Sequence, residues 1–582
     1  MNFAINVENI LYRQKKNLAQ VLGVFAVAFF LMMYFMAGAK AANSGDYLNF
    51  NVDQNYDAIA RSKIQATLVK TTPSLYFYVE TAWWEVQPLA KKNEILNDLD
   101  NVSSEFKNNI YPTLTSVFGS EWNPGVDGDT RITILFQSIK ENLGGYFRST
   151  DGYIKLQAPD SNEREMLYLP IAKIEDPQLK GFLAHEFVHL ITFNQKDRLQ
   201  NVQEEIWLNE ARADYASTIL GYDNNYEGSN LQRRVRDFLE RPSDSLTEWQ
   251  NTKYDYASES LFMHYLVDHY GINILADSLK LKSVGIESIN EILLKNGYQE
   301  DFGQIFTDWT VSVVINDCFL NSKYCYFNEN LNNIKINPTL NFLPLTGNSS
   351  LSVTNVTKNW AGNWQKVIGG NGDLTLEFAS LAGLDFKVPY ILYDKKNNYT
   401  IAFLQLDSQQ KGEITIKDFG TNYKYLIINP SLQTKTAGFD GLELTYPYTF
   451  TVSIAGDIPG GDPVTIQNLL NQIADLKKKI AAIQNNTNVP PVTGCTSFPN
   501  NLYAGYGDVV GIKCLQQFLA SQGSGIYPEA LVTGNFGILT KAAVVRFQEK
   551  YKEEILSPVG LLSGTGYVGV FTRQKINQLL QT

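Results

Sequence analysis

The sequence predicts a multidomain protein of mixed class: an α/β domain, an all-β sandwich, a short helical spacer and a small three-helix C-terminal domain. Three observations predict it. From residue 46 to 340, runs with helical spacing alternate with strand-like runs such as RITILF. From 345 to 455 the apolar residues alternate at period two between Gly, Asn, Asp and Lys turns. Beyond that, the stretches GDIPGGDP and NNTNVPPVTG break the chain twice. At 582 residues, with 44% hydrophobic and 12% aromatic residues, the chain is long and apolar enough for several cores, which excludes a disordered protein. A formal charge of −11 implies no broad basic surface, so nucleic acid is not expected as a partner.

Residues 1–42 form a leader. Arg13, Lys15 and Lys16 precede an uncharged run from Leu18 to Ala39. This is a signal peptide or an N-terminal membrane anchor, and the basic flank sends everything after it out of the cytoplasm. Ala39-Lys40-Ala41 offers a small-x-small cleavage site, whereas the length of the apolar run suits an uncleaved anchor that would keep the protein on the membrane. An extracytoplasmic location agrees with the cysteines. Cys318, Cys325, Cys495 and Cys514 permit three pairings, of which the local one joins partners within the same module.

In the 46–340 region, LAHEFVHLITF places two of the four histidines of the chain in an apolar helical run. On a helix, His185 and His189 lie on one face about one turn apart, where two imidazoles can share one metal ion, and Glu186 lies between them. A catalytic zinc needs a third ligand. EEIWLNEARADYAST reads as a second helix, with Trp207, Leu208, Ala211 and Tyr215 on its apolar side and Glu210 and Asp214 sharing another face, so that one acid can bind metal while the other supports a ligand. A third helix, YDYASESLFMHYLVDHYG, carries Tyr254, Tyr256, His264 and His269. Asp127 and Asp129 sit in a glycine turn. Ca2+ is conceivable there, but the turn lacks the full pattern of a calcium loop and a β-turn is the better expectation. LGGYFRSTDGY reads as an edge strand able to pair with an extended peptide, or as an ordinary hairpin.

HExxH followed by Asn-Glu-x-x-Ala-Asp resembles the gluzincin metallopeptidases, and LAHEFVHLI with WLNEARADYA is most similar to their hyicolysin-type members. The resemblance implies a thermolysin-like zincin domain with one catalytic Zn2+. It implies that His185, His189 and Glu210 are metal ligands, that Glu186 is the general base acting on a zinc-activated water, and that Asp214 hydrogen-bonds a ligating histidine. It further implies a tyrosine that stabilises the oxyanion, for which Tyr256 is the first choice and Tyr254, His264 and His269 the alternatives.

The sandwich at 345–455 is expected from LTLEFAS, FKVPYILYD, YTIAFLQLD, GEITIKDF, YKYLIINP and YTFTVSI. Residues 463–486 carry Ile466, Leu469, Ile473, Leu476, Ile480 and Ile483 at coiled-coil spacing, either as a short coiled coil or as a lone spacer helix. A proline-stiffened linker covers 487–494.

The last domain, 495–582, contains an internal echo: Gly534 to Thr540 and Gly566 to Thr572 share the form Gly-x-apolar-Gly-x-apolar-Thr. Each leads into a helix that its threonine can cap, and Leu515, Leu519, Val544, Phe547, Ile576 and Leu579 form the expected core. Leu515-Gln516, Gly534-x-Phe536-Gly537, Thr540, Ala543-Val544 and Phe547-Gln548 resemble the type 1 peptidoglycan-binding domain. The combined expectation is an exported zinc endopeptidase held on peptidoglycan and acting on a protein or peptide substrate. The alternatives are a hydrolase of the peptide bonds of peptidoglycan, or a non-catalytic wall-bound adhesin or scaffold.

Overall fold

The computed structural model describes residues 44–455 and 495–581, apart from 142, 346, 440, 496, 504–507, 524, 528, 529, 531, 535, 560 and 562. The leader at 1–42, the spacer at 463–486 and the linker at 487–494 lie outside the described residues. The chain divides into two compact units, one on either side of residue 458.

The first unit begins with a six-stranded sheet: β1 (Tyr47–Asn51), β2 (Lys63–Thr71), β3 (Leu75–Glu80), β4 (Ile132–Gln137), β5 (Tyr146–Phe147) and β6 (Met166–Pro170). The order is β1-β2-β3-β4-β6-β5, with β3, β4 and β6 parallel and the outer pairs antiparallel. All residues of β3, β4 and β6 are buried, because both faces of this parallel centre are covered. Phe77, Val79, Ile134 and Leu169 point to the main core beneath the helices, while Tyr76, Tyr78, Leu135 and Tyr168 face a smaller core shared with Phe50, Ile64 and Leu68. Alternate residues of one strand thus serve two cores, as the period-two geometry of a strand dictates.

The three helices expected from the sequence form at Leu179–Thr192, Ile206–Ile219 and Lys253–Tyr270. Thr252 caps the third through a capping box with Asp255. The second is anchored by a buried group that sequence patterning does not reveal. Arg212, fully enclosed, donates to Glu204 at 2.7 Å, to Ser278 Oγ at 2.6 Å and to the Leu275 carbonyl at 3.2 Å. Each donation satisfies a donor that would otherwise be costly to bury.

The β module contains β7 (Thr339–Leu343), β8 (Ser349–Thr357), β9 (Gln365–Gly369), β10 (Gly372–Ser380), β11 (Phe386–Lys387), β12 (Pro389–Asp394), β13 (Tyr399–Phe403), β14 (Lys411–Phe419), β15 (Tyr423–Ile428), β16 (Ser431–Leu432) and β17 (Tyr446–Ala455). One half runs β14-β10-β17-β8 and the other β13-β12-β15-β9-β7. The single pairing Phe419↔Tyr423 joins them into one nine-stranded sheet that folds over a common core of Val367, Leu376, Phe378, Leu426, Phe450 and Val452. This is a sandwich closed along one edge. It starts earlier than expected, since β7 pairs with β9.

The module is not a separate body. Trp360 inserts between Phe302 and Phe306 at ring distances of 5.1 and 5.3 Å, Trp364 Nε1 donates to the Thr310 carbonyl, and Lys358 pairs with Glu248. The two cores therefore meet along the Phe302–Ile315 helix.

The second unit packs Leu515, Leu519, Val544, Phe547 and Ile576 into one core, with Leu579 against it, between helices Val509–Ser521, Ile538–Lys550 and Val570–Leu580. The cysteines pair locally, Cys318 with Cys325 and Cys495 with Cys514, which fits an oxidising compartment. Among the described residues no helix is long and apolar enough to cross a membrane.

The expected threonine caps do not form: the N-caps are Gly537 and Gly569, without side-chain bonds. The hydroxyls serve buried glutamines instead. Gln516 accepts from the amides of Thr533 and Gly534 and donates to Thr540 Oγ1; Gln548 accepts from Thr565 and Gly566 and donates to Thr572 Oγ1. The echo in the sequence is thus a repeated hydrogen-bond unit. Gln516→Ala removes the acceptor of two amides, at a cost of roughly 1–3 kcal/mol. Amide exchange at Thr533 and Gly534 in the full chain will speed up about tenfold or more, and Gln548→Ala will do the same at Thr565 and Gly566.

Candidate metal centre

The Leu179–Thr192 helix is buried along most of its length, so its polar side chains need partners inside the fold. His185 and His189 stand one turn apart with ring centroids 4.8 Å from each other. Their Nε2 atoms are 3.2 Å apart, and Glu210 Oε2 from the Ile206–Ile219 helix lies 3.2 Å from the first and 3.6 Å from the second. Zinc bonds of about 2.0–2.2 Å in tetrahedral array place ligand atoms roughly 3.3–3.5 Å apart, so the two nitrogens and the oxygen fit one such ion. Among the described residues this is the one cluster of His, Cys, Asp or Glu with metal-ligand spacing.

The electrostatics favour a cation there. Burial alone would raise the Glu210 carboxyl, but His189 and His185 outweigh it and hold that carboxyl well below its usual range. Burial would lower His189. The charge of Glu210, its hydrogen bond and the charge of Glu186 win, and lift the imidazole to about 9. Glu186 is 4% exposed; burial raises its pKa against the pull of the two histidines, and its Oε2 has no hydrogen-bond partner. His189 Nδ1 and Asn209 Oδ1 are likewise buried without partners, and Asn209 is one of the groups that raise His189. Gly145 lets Glu186 approach the sheet edge, because a Cβ there would come within 2.8 Å of Glu186 Oε1.

Asp214 is placed one turn after Glu210, yet its hydrogen bonds do not go to a ring nitrogen. Arg234 grips it from two sides, Nη2 to Oδ1 at 2.7 Å and Nε to Oδ2 at 3.0 Å, and Asn230 adds a bond at 2.9 Å. A bidentate guanidinium at this distance out-competes a single imidazole N–H. Burial raises the Asp214 carboxyl, Arg234 lowers it by more, and the balance falls to about 2; the charge of His185 contributes, so Asp214 still interacts with that imidazole electrostatically.

Tyr256 lies at the site: its ring is 6.4 Å from that of His185 and 4.5 Å beneath the Arg234 guanidinium, and its hydroxyl bonds Asn251 at 3.4 Å. Burial and the charge of Glu210 push the phenol well above its usual range, so it remains a donor. The alternatives are elsewhere. Tyr254 bonds Glu240, His264 bonds Thr218 and the Ser260 carbonyl, and His269 bonds the Cys325 carbonyl. Asp129 is engaged with Arg131 and Tyr76, and its amide closes the turn onto Asp127.

His185, Glu186, His189, Glu210, Asp214 and Tyr256 line one cleft of about 890 Å³. One wall is β5 with Gly144 and Gly145, at the end of the sheet where LGGYFR was expected to form an edge. Tyr56, which sequence reading missed, stacks on Tyr146 at 4.5 Å in the same wall; burial, then Glu210 and Glu186, raise it to about 12. Arg234 was missed too, although NLQRRVRDFLE hints at it: its three arginines cannot all face water on an 11-residue helix that also buries Leu231, Val235 and Phe238.

The fold and site together define a two-unit protein of mixed α/β class with a His-His-Glu cluster at the floor of a cleft. No family model and no curated protein matches the chain. Among solved structures it is similar to the Yersinia pseudotuberculosis-derived mitogen, at 10% identity and TM-score 0.14 over 19% of this chain and 92% of that one. It is also similar to PliG, a periplasmic inhibitor of g-type lysozyme from Aeromonas hydrophila, at 9% identity and TM-score 0.14 over 20% and 98%. A third likeness is the pre-peptidase C-terminal domain of a Bacillus anthracis collagenase, at 10% identity and TM-score 0.14 over 20% and 96%. Likenesses of this size carry no argument about activity.

Proposed function

We propose that the protein is an exported zinc-dependent endopeptidase of the gluzincin type, with a thermolysin-like catalytic domain and a C-terminal module that holds it on peptidoglycan. The single observation that supports the reading most is the convergence of His185 Nε2, His189 Nε2 and Glu210 Oε2 to mutual distances of 3.2–3.6 Å beside an unpartnered Glu186 oxygen. A structural zinc site has no use for that second, unpaired carboxylate.

His185, His189 and Glu210 hold the metal. Zinc held by these three residues would supply Lewis-acid polarisation of a scissile carbonyl and would make water at the site acidic enough to ionise near neutral pH. Glu186 takes the proton from the attacking water, helped by the burial that raises its basicity, and delivers it to the departing nitrogen. Tyr256, kept protonated, donates to the carbonyl oxygen as negative charge develops there. The outer edge of β5 offers main-chain partners to an extended peptide, which orients it along the cleft. The local disulfides agree with an extracytoplasmic site of action.

Metal analysis and peptide hydrolysis test the proposal together. The purified ectodomain will contain about one zinc per chain, will lose hydrolysis on dialysis against a chelator, and will regain it on zinc addition. Hydrolysis that survives complete metal removal would end the reading.

A further inference from the structure

The Asn230–Glu240 helix lines the cleft with three arginines in different states. Arg234 is committed to Asp214 and Arg236 to Asp237. Arg233 has no carboxylate within ion-pair distance among the described residues. Its Nη2 donates to Asn230 Oδ1 at 2.5 Å, and its Nε is shielded from water with no acceptor. A guanidinium stays charged and carries five donors, so one left short of acceptors in a cleft wall is unfavourable in the empty protein. Burial and the neighbouring charge of Arg234 depress its pKa, and Asp214 and Asp237 offset this only in part.

A second cation of the cleft wall is in a similar position. Lys180, on the HExxH helix, lies 4.4 Å over the Tyr222 ring without a carboxylate partner among the described residues, whereas Lys173 pairs with Asp176 and Lys253 with Glu240. The acids of this wall are already engaged: Asp223 accepts from Thr218 and the Leu231 amide, and Asp237 from Arg236. Glu141, exposed in the loop ahead of β5, and Glu186, beside the two histidines, are the acids of the cleft with no bond among the described residues. Arg233 and Lys180 therefore stand in the wall without a carboxylate at contact distance among the described residues; Asp214 and Asp237 act on the first, and Glu105 on the second, only from further away.

We propose that Arg233, assisted by Lys180, is the specificity determinant of the cleft and binds a carboxylate of the peptide substrate. The inference rests on the peptidase reading and deepens it. The carboxylate has two sources, an Asp or Glu side chain or the C-terminus of the peptide, and the experiment separates them.

Peptide sets that differ only by Glu or Gln at each position near the scissile bond, each with a free or an amidated C-terminus, are compared on the full chain. The carboxylate member will be preferred about 10- to 100-fold, mainly through KM, as charge-assisted hydrogen bonds allow. Arg233→Gln will flatten the ratio and Arg233→Lys will keep part of it, with zinc content equal to wild type in both. Anisotropy with the labelled peptides on Glu186→Gln protein reads the same discrimination without turnover. Hydrolysis with no carboxylate preference, or a preference that Arg233→Gln leaves intact, overturns the subsite alone. Discrimination in binding with no hydrolysis by wild type would overturn the peptidase reading and keep the subsite; absence of both would overturn both.

Discussion

Glu186→Gln will lower kcat for peptide hydrolysis by about 10²–10⁴-fold while leaving zinc content, KM and the melting temperature close to wild type. The substitution keeps the shape of the side chain and removes only its ability to hold a proton. Glu186 is buried, shares the helix with both histidines and is within about one turn of each, yet it is not part of the cluster with metal-ligand spacing. Its Oε2 has no protein partner whose loss could disturb the fold. A neutral amide is also cheaper to bury than a carboxylate, so no stability penalty is expected. Activity equal to wild type would remove Glu186 from the mechanism. A loss of zinc together with activity would make it a ligand or a scaffold instead.

Arg234→Met will destabilise the first unit by about 3–5 kcal/mol, because it strands a fully enclosed carboxylate. Asp214 takes two bonds from the Arg234 fork and one from Asn230, and the guanidinium also covers the face of Tyr256. The damage will extend to the metal: zinc affinity will fall about 10–100-fold, as is usual when the supports of a ligand set are removed. The double variant Arg234→Met with Asp214→Leu separates the two effects. It will recover most of the stability, since the uncompensated charge is gone, but not the affinity. Chemical denaturation and zinc titration of the three proteins check this. An Arg234→Met protein with unchanged stability and unchanged zinc affinity would show that the pair supports neither.

Both predictions involve residues of one cleft; Glu186 and Asp214 were named from the sequence, whereas Arg234 was not. HExxH carries its own geometry: on any helix, positions four apart share a face, and the residue between them lies beside it. Glu210 was legible for the same reason, as a polar residue opposite the apolar side of its helix, and the local cysteine pairings followed from short separations. The period-two runs marked the β module but missed β7, β8 and β9 and therefore its true start. Helix capping by Thr540 and Thr572 was a sound local expectation that failed, because buried Gln516 and Gln548 compete for the same hydroxyls.

Residue order alone determined the three helices of the site, the strands marked by period-two runs and the face on which His185, Glu186 and His189 stand, since these depend on periodicities of 3.6 and 2.0 residues within one segment. Only the tertiary structure decided that Arg234 takes Asp214, that Tyr56 and the Gly145 edge wall the cleft, that Arg233 has no ion-pair partner among the described residues, and that Trp360 welds the β module to the helical core. Those are meetings of segments far apart in the chain. No repeat in the sequence encodes their distance, and burial selects the partner only once the segments have packed.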